Sequence, residues 1–286
     1  MPIAVLALDF DPLLRLADGL VVRWQTVALV ALIASGLVLA GLIARREGLR
    51  PDDLLFIAVA IVPGAVLGGR LGYVLLHLDY YGSHTQAILD PAQGSLELAL
   101  AVVGGVLSGS YVAGLLGAPI GRWLRTAALP LLFVLGAGKL AMLLGGSGQG
   151  QPTQLAWATA YVGPGPWGSL APELPSHPSQ VYEGLATLAV LLILTLALAA
   201  DAFQARDGRL FFVAFGAWSV ARAVVSLTWR DAAIVGGLNA GGLIAVAGAI
   251  GSAVALALVH RRAQPRPQGR PDREVGWADP ATRPRF

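Results

Sequence analysis

Three cationic side chains, Arg70, Lys139 and Arg222, fall inside runs of apolar residues long enough to cross a membrane. A charge at the centre of a membrane helix costs about 2.5–3.5 kcal/mol on insertion scales, so such residues face a bundle interior or a wet cavity and mark a site. At 1.5 Å per residue all three lie about 10–13 Å from the same end of their spans, in one layer. Glu183, about one turn into the fifth run, approaches that layer from the opposite direction. One carboxylate against three cations leaves a layer that expects an anion from outside the chain, and both guanidinium and ammonium groups suit a phosphate. The chain contains no cysteine, so any thiol in the chemistry comes from a partner. No metal-ligand set and no cofactor motif is present.

The elements that hold these residues follow from composition. Of 286 residues, 56% are apolar and 13% charged, with a mean hydropathy of +0.67. These values exclude both an ordinary soluble globule and a disordered chain. Apolar runs place spans at about 24–45, 53–78, 95–117, 122–146, 179–200, 209–229 and 235–260. The expected fold is all-α: a polytopic bundle of about seven spans over residues 1–260. Arginines concentrate in the loops after spans one, three and five and in the C-terminal tail, which predicts an outside N-terminus and a cytoplasmic C-terminus. The N-terminal segment carries Asp9, Asp11, Arg15 and Asp18, reads as surface-lying, and lacks a signal-peptide pattern. Residues 147–177 form a Gly- and Pro-rich stretch without Lys or Arg, expected as an external loop whose Trp157, Tyr161 and Trp167 suit the headgroup region. Residues 261–286, rich in Pro and Arg, read as a disordered basic cytoplasmic tail. Gly64, Gly68 and Gly72 recur every four residues beside Arg70 and predict close helix approach; Gly104 and Gly105 on the third span suit packing or passage of backbone against a ligand. Membrane lipid is the expected partner, and nothing in the pattern points to nucleic acid.

Several stretches, in order from residue 19 to about 245, resemble the bacterial prolipoprotein diacylglyceryl transferase family: GLVVRW at 19–24, GGRLGYV at 68–74, GQPTQLAW at 150–157 and, most closely, HPSQVYE at 177–183. The resemblance implies transfer of the diacylglyceryl group of phosphatidylglycerol to the lipobox cysteine thiol of a prolipoprotein. The reaction would release glycerol phosphate at the outer face of the bacterial inner membrane. It implies that Arg70 and Arg222, with Lys139, hold the lipid phosphate, and that Gly69, Gly104, Gly105, Gly150 and Gln180 lie against substrate. His177, Tyr182 and Glu183 then become the catalytic candidates.

The chain departs from the family pattern at defined places. Val103-Gly104-Gly105 stands where the family has His-Gly-Gly. Gly138-Lys139-Leu140-Ala141-Met142 stands for Gly-Arg-x-Gly-Asn, and Gly145-Gly146-Ser147 for Asn-Gly-Glu. Gln25 replaces a tyrosine, and Ser226 an acidic residue. A general base is therefore expected from His177 or Glu183. A thiol with a pKa near 8.5, lowered by nearby cations, supplies some thiolate at neutral pH without one. Two other readings stay open: a catalytically silent relative that binds or presents anionic phospholipid, and a transporter. Thioether formation, lipid binding and solute flux discriminate them.

Overall fold

The computed structural model describes residues 5–90 and 95–263. The expected tail lies outside these residues except for positions 261–263, which continue the last helix.

Seven helices among the described residues are long and apolar enough to span a membrane, and the protein is a multi-pass membrane protein. Three short strands come first: β1 (Val5–Leu8), β2 (Leu13–Arg15) and β3 (Val21–Arg23), β2 and β3 forming an antiparallel pair. The spans are α1 (Trp24–Arg46), α2 (Pro51–Leu76), then, after the short α3 (Leu78–Ser83), α4 (Leu98–Leu115) and α5 (Ile120–Ala141), which continues as a single 3-10 turn to Leu144. The long loop carries β4 (Ala158–Tyr161), and the chain ends with α6 (Ser179–Ala199), α7 (Arg209–Ser226) and α8 (Ala240–Ala263). Pro51 occupies the first helical position of α2 and Asp52 and Asp53 its first turn, where a missing N–H is harmless and negative charge meets the positive end of the helix dipole.

The ends of the spans show where local chemistry overrode hydropathy. α4 starts at Leu98 and not near 95, because the Glu97 carboxylate accepts the free N–H groups of Ala99 and Leu100 at 3.0 and 2.7 Å. α8 starts at Ala240 and not near 235: Gly236 and Gly237 adopt φ of +57° and +83°, and the Asn239 side chain then accepts the Gly242 N–H at 2.8 Å.

Packing divides the spans unevenly. α2 lies chiefly on α4 and α1 chiefly on α5, whereas α1 with α2 and α4 with α5 touch sparingly. The α2/α4 contact is made by backbone against backbone. A Cβ on Gly104 would be driven into the Gly64 carbonyl oxygen, and one on Gly68 into that of Leu100. α5, α6 and α7 enclose the main core of Leu132, Leu135, Leu194, Phe211, Phe215 and Trp218. Large apolar residues such as Val30, Val38, Val59, Leu67, Ile193 and Val254 are exposed around the outside, as a hydrocarbon solvent requires.

At one end of the bundle β1 pairs in parallel with β4, Val5 opposite Ala158 and Leu8 opposite Tyr161. The N-terminal segment is therefore tied into the long loop. The loop aromatics are not all turned to the interface as expected: Tyr161 is fully buried and stacks obliquely on Trp167 at 4.7 Å, while Trp157 is exposed. Burial away from water pushes the Tyr161 phenol up to about 12, against an opposing hydrogen bond from Gln180. The protonated form is thus favoured by the fold. Its stabilising contribution is complete below pH 10, the value of an unperturbed tyrosine, and is lost as pH rises through about 12. A tyrosinate absorbance titration should show one phenol ionising late, and Tyr161→Phe should remove that late step.

Candidate functional site

Arg222 is the centre of the site. It lies on α7, is 5% exposed, and donates from Nη1 to Glu183 Oε1 at 2.6 Å and from Nη2 to Glu97 Oε1 at 3.1 Å. Glu183 is shared: its Oε2 lies 2.8 Å from Lys139 Nζ. The Trp229 ring closes the cluster, 4.6 Å from the Arg222 guanidinium and 5.9 Å from the Lys139 ammonium. The reach from Lys139 to Glu183 depends on α5 and α6 approaching closely. A Cβ on Gly136 would lie 3.3 Å from the Gly184 carbonyl oxygen, and one on Gly184 3.0 Å from that of Gly136.

A cavity of about 310 Å³ opens beside this cluster, lined by Lys139, Glu183, Arg222, Gln180, Gln149 and Arg230 among others. Arg230, in the turn after α7, also organises the loop. Its Nε donates to the Gly150 carbonyl at 2.6 Å, and its Nη2 to Ser176 Oγ at 3.0 Å and Gln149 Oε1 at 3.2 Å. These acceptors are neutral, so no carboxylate among the described residues forms an ion pair with it.

The geometry corrects the layer of three cations facing one carboxylate. Lys139 and Arg222 converge as expected, but Glu97 provides a second buried carboxylate, and this inner set is balanced. Its signal in the sequence was a lone acid at the head of the third apolar run, within the span assigned there. Arg70 does not join them. Its Nε donates to the Ile88 carbonyl and its Nη2 to that of Ala87, both at 2.6 Å, with the Tyr81 ring 5.3 Å from its guanidinium. The reason is helical phase. Gly68, Gly69 and Gly72 face α4, so position 70, turned about 100° from 69, faces the connection after α2. Arg230 takes the place expected of Arg70 as the third cation at the cavity. It lies in the turn after α7, outside every apolar run.

The remaining candidates separate in the same way. Gln180 lines the cavity, 1% exposed, its Nε2 donating to the Tyr161 hydroxyl at 3.0 Å. Gly69 and Gly104 are placed between α2 and α4 and not against a ligand cavity; the Gly69 carbonyl accepts the Glu97 N–H at 2.8 Å. Gly105 meets Ile61 across the same contact and borders a second, apolar cavity. Gly150 is held within the loop, donating to the His177 carbonyl at 2.7 Å, with Ser179 and Thr228 filling the space a Cβ would need.

His177 and Tyr182 do not line the headgroup-sized cavity. Their side chains face each other, Nδ1 to hydroxyl at 3.4 Å, and the Tyr182 hydroxyl accepts from the exposed Trp157 Nε1 at 2.7 Å. Tyr182 precedes Glu183 by one residue, so the two occupy different faces of α6. Of the three catalytic candidates, only Glu183 reaches the cavity. His177→Ala should therefore change turnover by less than about tenfold, short of the 10²–10⁴ expected for a lost general base.

The positions that depart from the family pattern are occupied by ordinary packing. Val103 packs against the main core. Ser147 Oγ donates to Gln25 Oε1 at 3.1 Å, and a Cβ on Gly145 would run into that same Gln25 oxygen. Ser226 Oγ bonds to the Ala223 carbonyl at 2.7 Å.

Sequence comparison agrees with this architecture. A phosphatidylglycerol-prolipoprotein diacylglyceryl transferase of Trichormus variabilis is 26% identical over 274 residues, 93% of this chain and 96% of that protein. One of Gluconobacter oxydans is 32% identical over 212 residues, 70% of this chain and 72% of its own length. Methylocella silvestris has another, 30% identical over 217 residues, 68% and 72% of the two chains. The family model described as prolipoprotein diacylglyceryl transferase matches residues 12–258. With that match running from β2 into the last span, the chain belongs to the prolipoprotein diacylglyceryl transferase family.

Proposed function

We propose that the protein transfers the diacylglyceryl group of phosphatidylglycerol to the lipobox cysteine thiol of prolipoproteins, a step of lipoprotein maturation. In this reading it lies in the bacterial inner membrane with its N-terminus outside, and the cavity serves the outer leaflet. Family membership supports the reaction. The observation that carries the site is the gathering of Lys139, Arg222 and Arg230 around one cavity, whose walls also hold Glu183 and Asp231 and where Arg230 bonds only neutral acceptors.

In the reaction the cysteine sulfur attacks the glyceryl carbon that bears the phosphate ester. The new S–C bond forms as the C–O bond breaks, and the electron pair leaves with glycerol phosphate. Negative charge grows on the leaving oxygen, and fixed cations in a water-poor cavity stabilise it more than water does. Lys139 offers a point charge; Arg222 and Arg230 offer planar donors. Glu183 and Glu97 hold Arg222 in place, and Glu183 holds Lys139. The thiol gives its proton to water before attack, and nearby cations raise the thiolate fraction, so the step needs no dedicated base in the chain.

Purified protein, labelled phosphatidylglycerol and a synthetic lipobox peptide test the proposal. A thioether-linked diacylglyceryl peptide is expected, and no product under conditions where another family member turns over rejects it. Arg230→Gln should raise the KM for phosphatidylglycerol about 10–100-fold, the value of one charge-assisted hydrogen bond. A second reading, a relative that binds the lipid without transferring it, is favoured by Val103 in the apolar core and by the ion pairs that occupy Glu183. Saturable lipid binding without product identifies that case.

A further inference from the structure

The second cavity, about 340 Å³, lies in the other half of the bundle, between the α2/α4 pair and α1 with α5. Ile33, Leu37, Ile57, Ile61, Trp123 and Leu131 are among its walls, and its surface is hydrocarbon almost throughout. It exists because these two layers touch so sparingly. It opens sideways: Ile33, Leu37, Ile61 and Ile120 all border it and are exposed. Along α5 its wall ends at Val134, five residues or about 7.5 Å short of Lys139. The groove is therefore separate from the cavity that gathers the cations.

The charge near its far end is unbalanced. α1 leaves the groove wall at Ala40 and reaches Arg45 about 7.5 Å further on. Arg45, Arg46 and Arg50 are exposed and form no ion pair among the described residues. Arg122 donates to the Glu47 backbone carbonyl, and the Glu47 carboxylate is already taken by Arg125 at 3.6 Å and Arg206 at 3.2 Å. Of the other acids at that end, Asp207 is taken by Arg209 at 2.9 Å, and Asp52 and Asp53 sit in the first turn of α2, where the helix dipole accommodates them. Four arginines against two aspartates leave positive charge at the level where headgroups of that leaflet lie.

We propose that this groove holds one acyl chain of an anionic glycerophospholipid, with its phosphate among Arg45, Arg46 and Arg50, in the leaflet opposite the one serving the headgroup cavity. The bound lipid completes the packing between two helix layers that meet poorly on their own, independently of the transfer reaction.

Trp123 reports on it, being 6% exposed and part of the groove wall. In reconstituted full-length protein, lipids brominated on the acyl chain should quench a fluorescence component that Trp123→Phe removes. Quenching should saturate at lower mole fraction for phosphatidylglycerol than for phosphatidylcholine, by about fivefold per engaged arginine. Replacing Arg45, Arg46 and Arg50 together by glutamine should abolish that preference, and Ala58→Phe, which fills the groove, should abolish the quenching itself. Native mass spectrometry of the unmutated protein gives an independent readout, with one phosphatidylglycerol expected to remain after phosphatidylcholine has been stripped. Absence of Trp123 quenching, or equal quenching by both lipids with no retained phosphatidylglycerol, means ordinary boundary lipid and overturns the proposal.

Discussion

Arg222→Gln should lower thioether formation by about 10²–10³-fold, and should also weaken the fold. The two effects have different causes. Loss of a fixed donor from the leaving-group site removes stabilisation where charge develops, typically worth 10²–10³ in rate. The same substitution leaves Glu97 and Glu183, 4% and 1% exposed, without the cation between them. Removing one partner of a buried ion pair costs about 3–5 kcal/mol because the other charge stays buried. A second change separates them: Arg222→Gln with Glu97→Gln should recover much of the thermal stability and none of the activity. Arg222→Lys keeps a charge but has no fork to reach two carboxylates, so it should fall between. Thermal unfolding in detergent and labelled product formation are the measurements. A fully active Arg222→Gln protein would remove Arg222 from the mechanism.

Gly104→Val should be the most damaging single change away from the charged cluster. The added side chain meets the Gly64 carbonyl oxygen and the Gly68 Cα across the α2/α4 contact, and these are backbone atoms that cannot rotate away. Overpacking ordinarily costs about 1–3 kcal/mol, and a clash with backbone belongs at or above the top of that range. The effect reaches the site through Glu97, which α2 holds by the Gly69 carbonyl and which in turn holds Arg222. A large fall in melting temperature is expected, together with lost activity in whatever protein remains folded. The same substitution at Gly251, where a Cβ meets nothing within 4 Å, should be nearly silent.

The seven spans were legible because hydropathy over about 20 residues is a strong signal, and their ends drifted wherever a cap or turn acted locally, as at Glu97 and Gly236-Gly237. The convergence of Lys139, Glu183 and Arg222 was legible from depth along the spans. Depth alone does not give rotation, which is why Arg70 was placed with them although it faces the α2–α4 connection. Arg230 was invisible for the opposite reason: it lies outside every span and acts through carbonyls of a loop 80 residues earlier in the chain. The pairing of β1 with β4 left no periodic signal, since four-residue strands are too short to show alternation. His177 and Tyr182 were drawn in by resemblance of a contiguous motif, whereas a helix distributes neighbouring residues over different faces.

The pairing of β1 with β4 also bears on how the molecule is made. Val5 emerges from the ribosome about 150 residues before its partner Ala158, and Arg230, which fastens the loop, emerges later still. Contacts so distant in sequence form late in assembly. The β1 strand must wait, unpaired, while four spans are threaded into the bilayer, and the cavity is finished only when α7 has followed. A nascent chain that has not yet passed α7 thus carries its cations without the enclosure that would let them work on a lipid, and competence arrives only once Arg230 has been added.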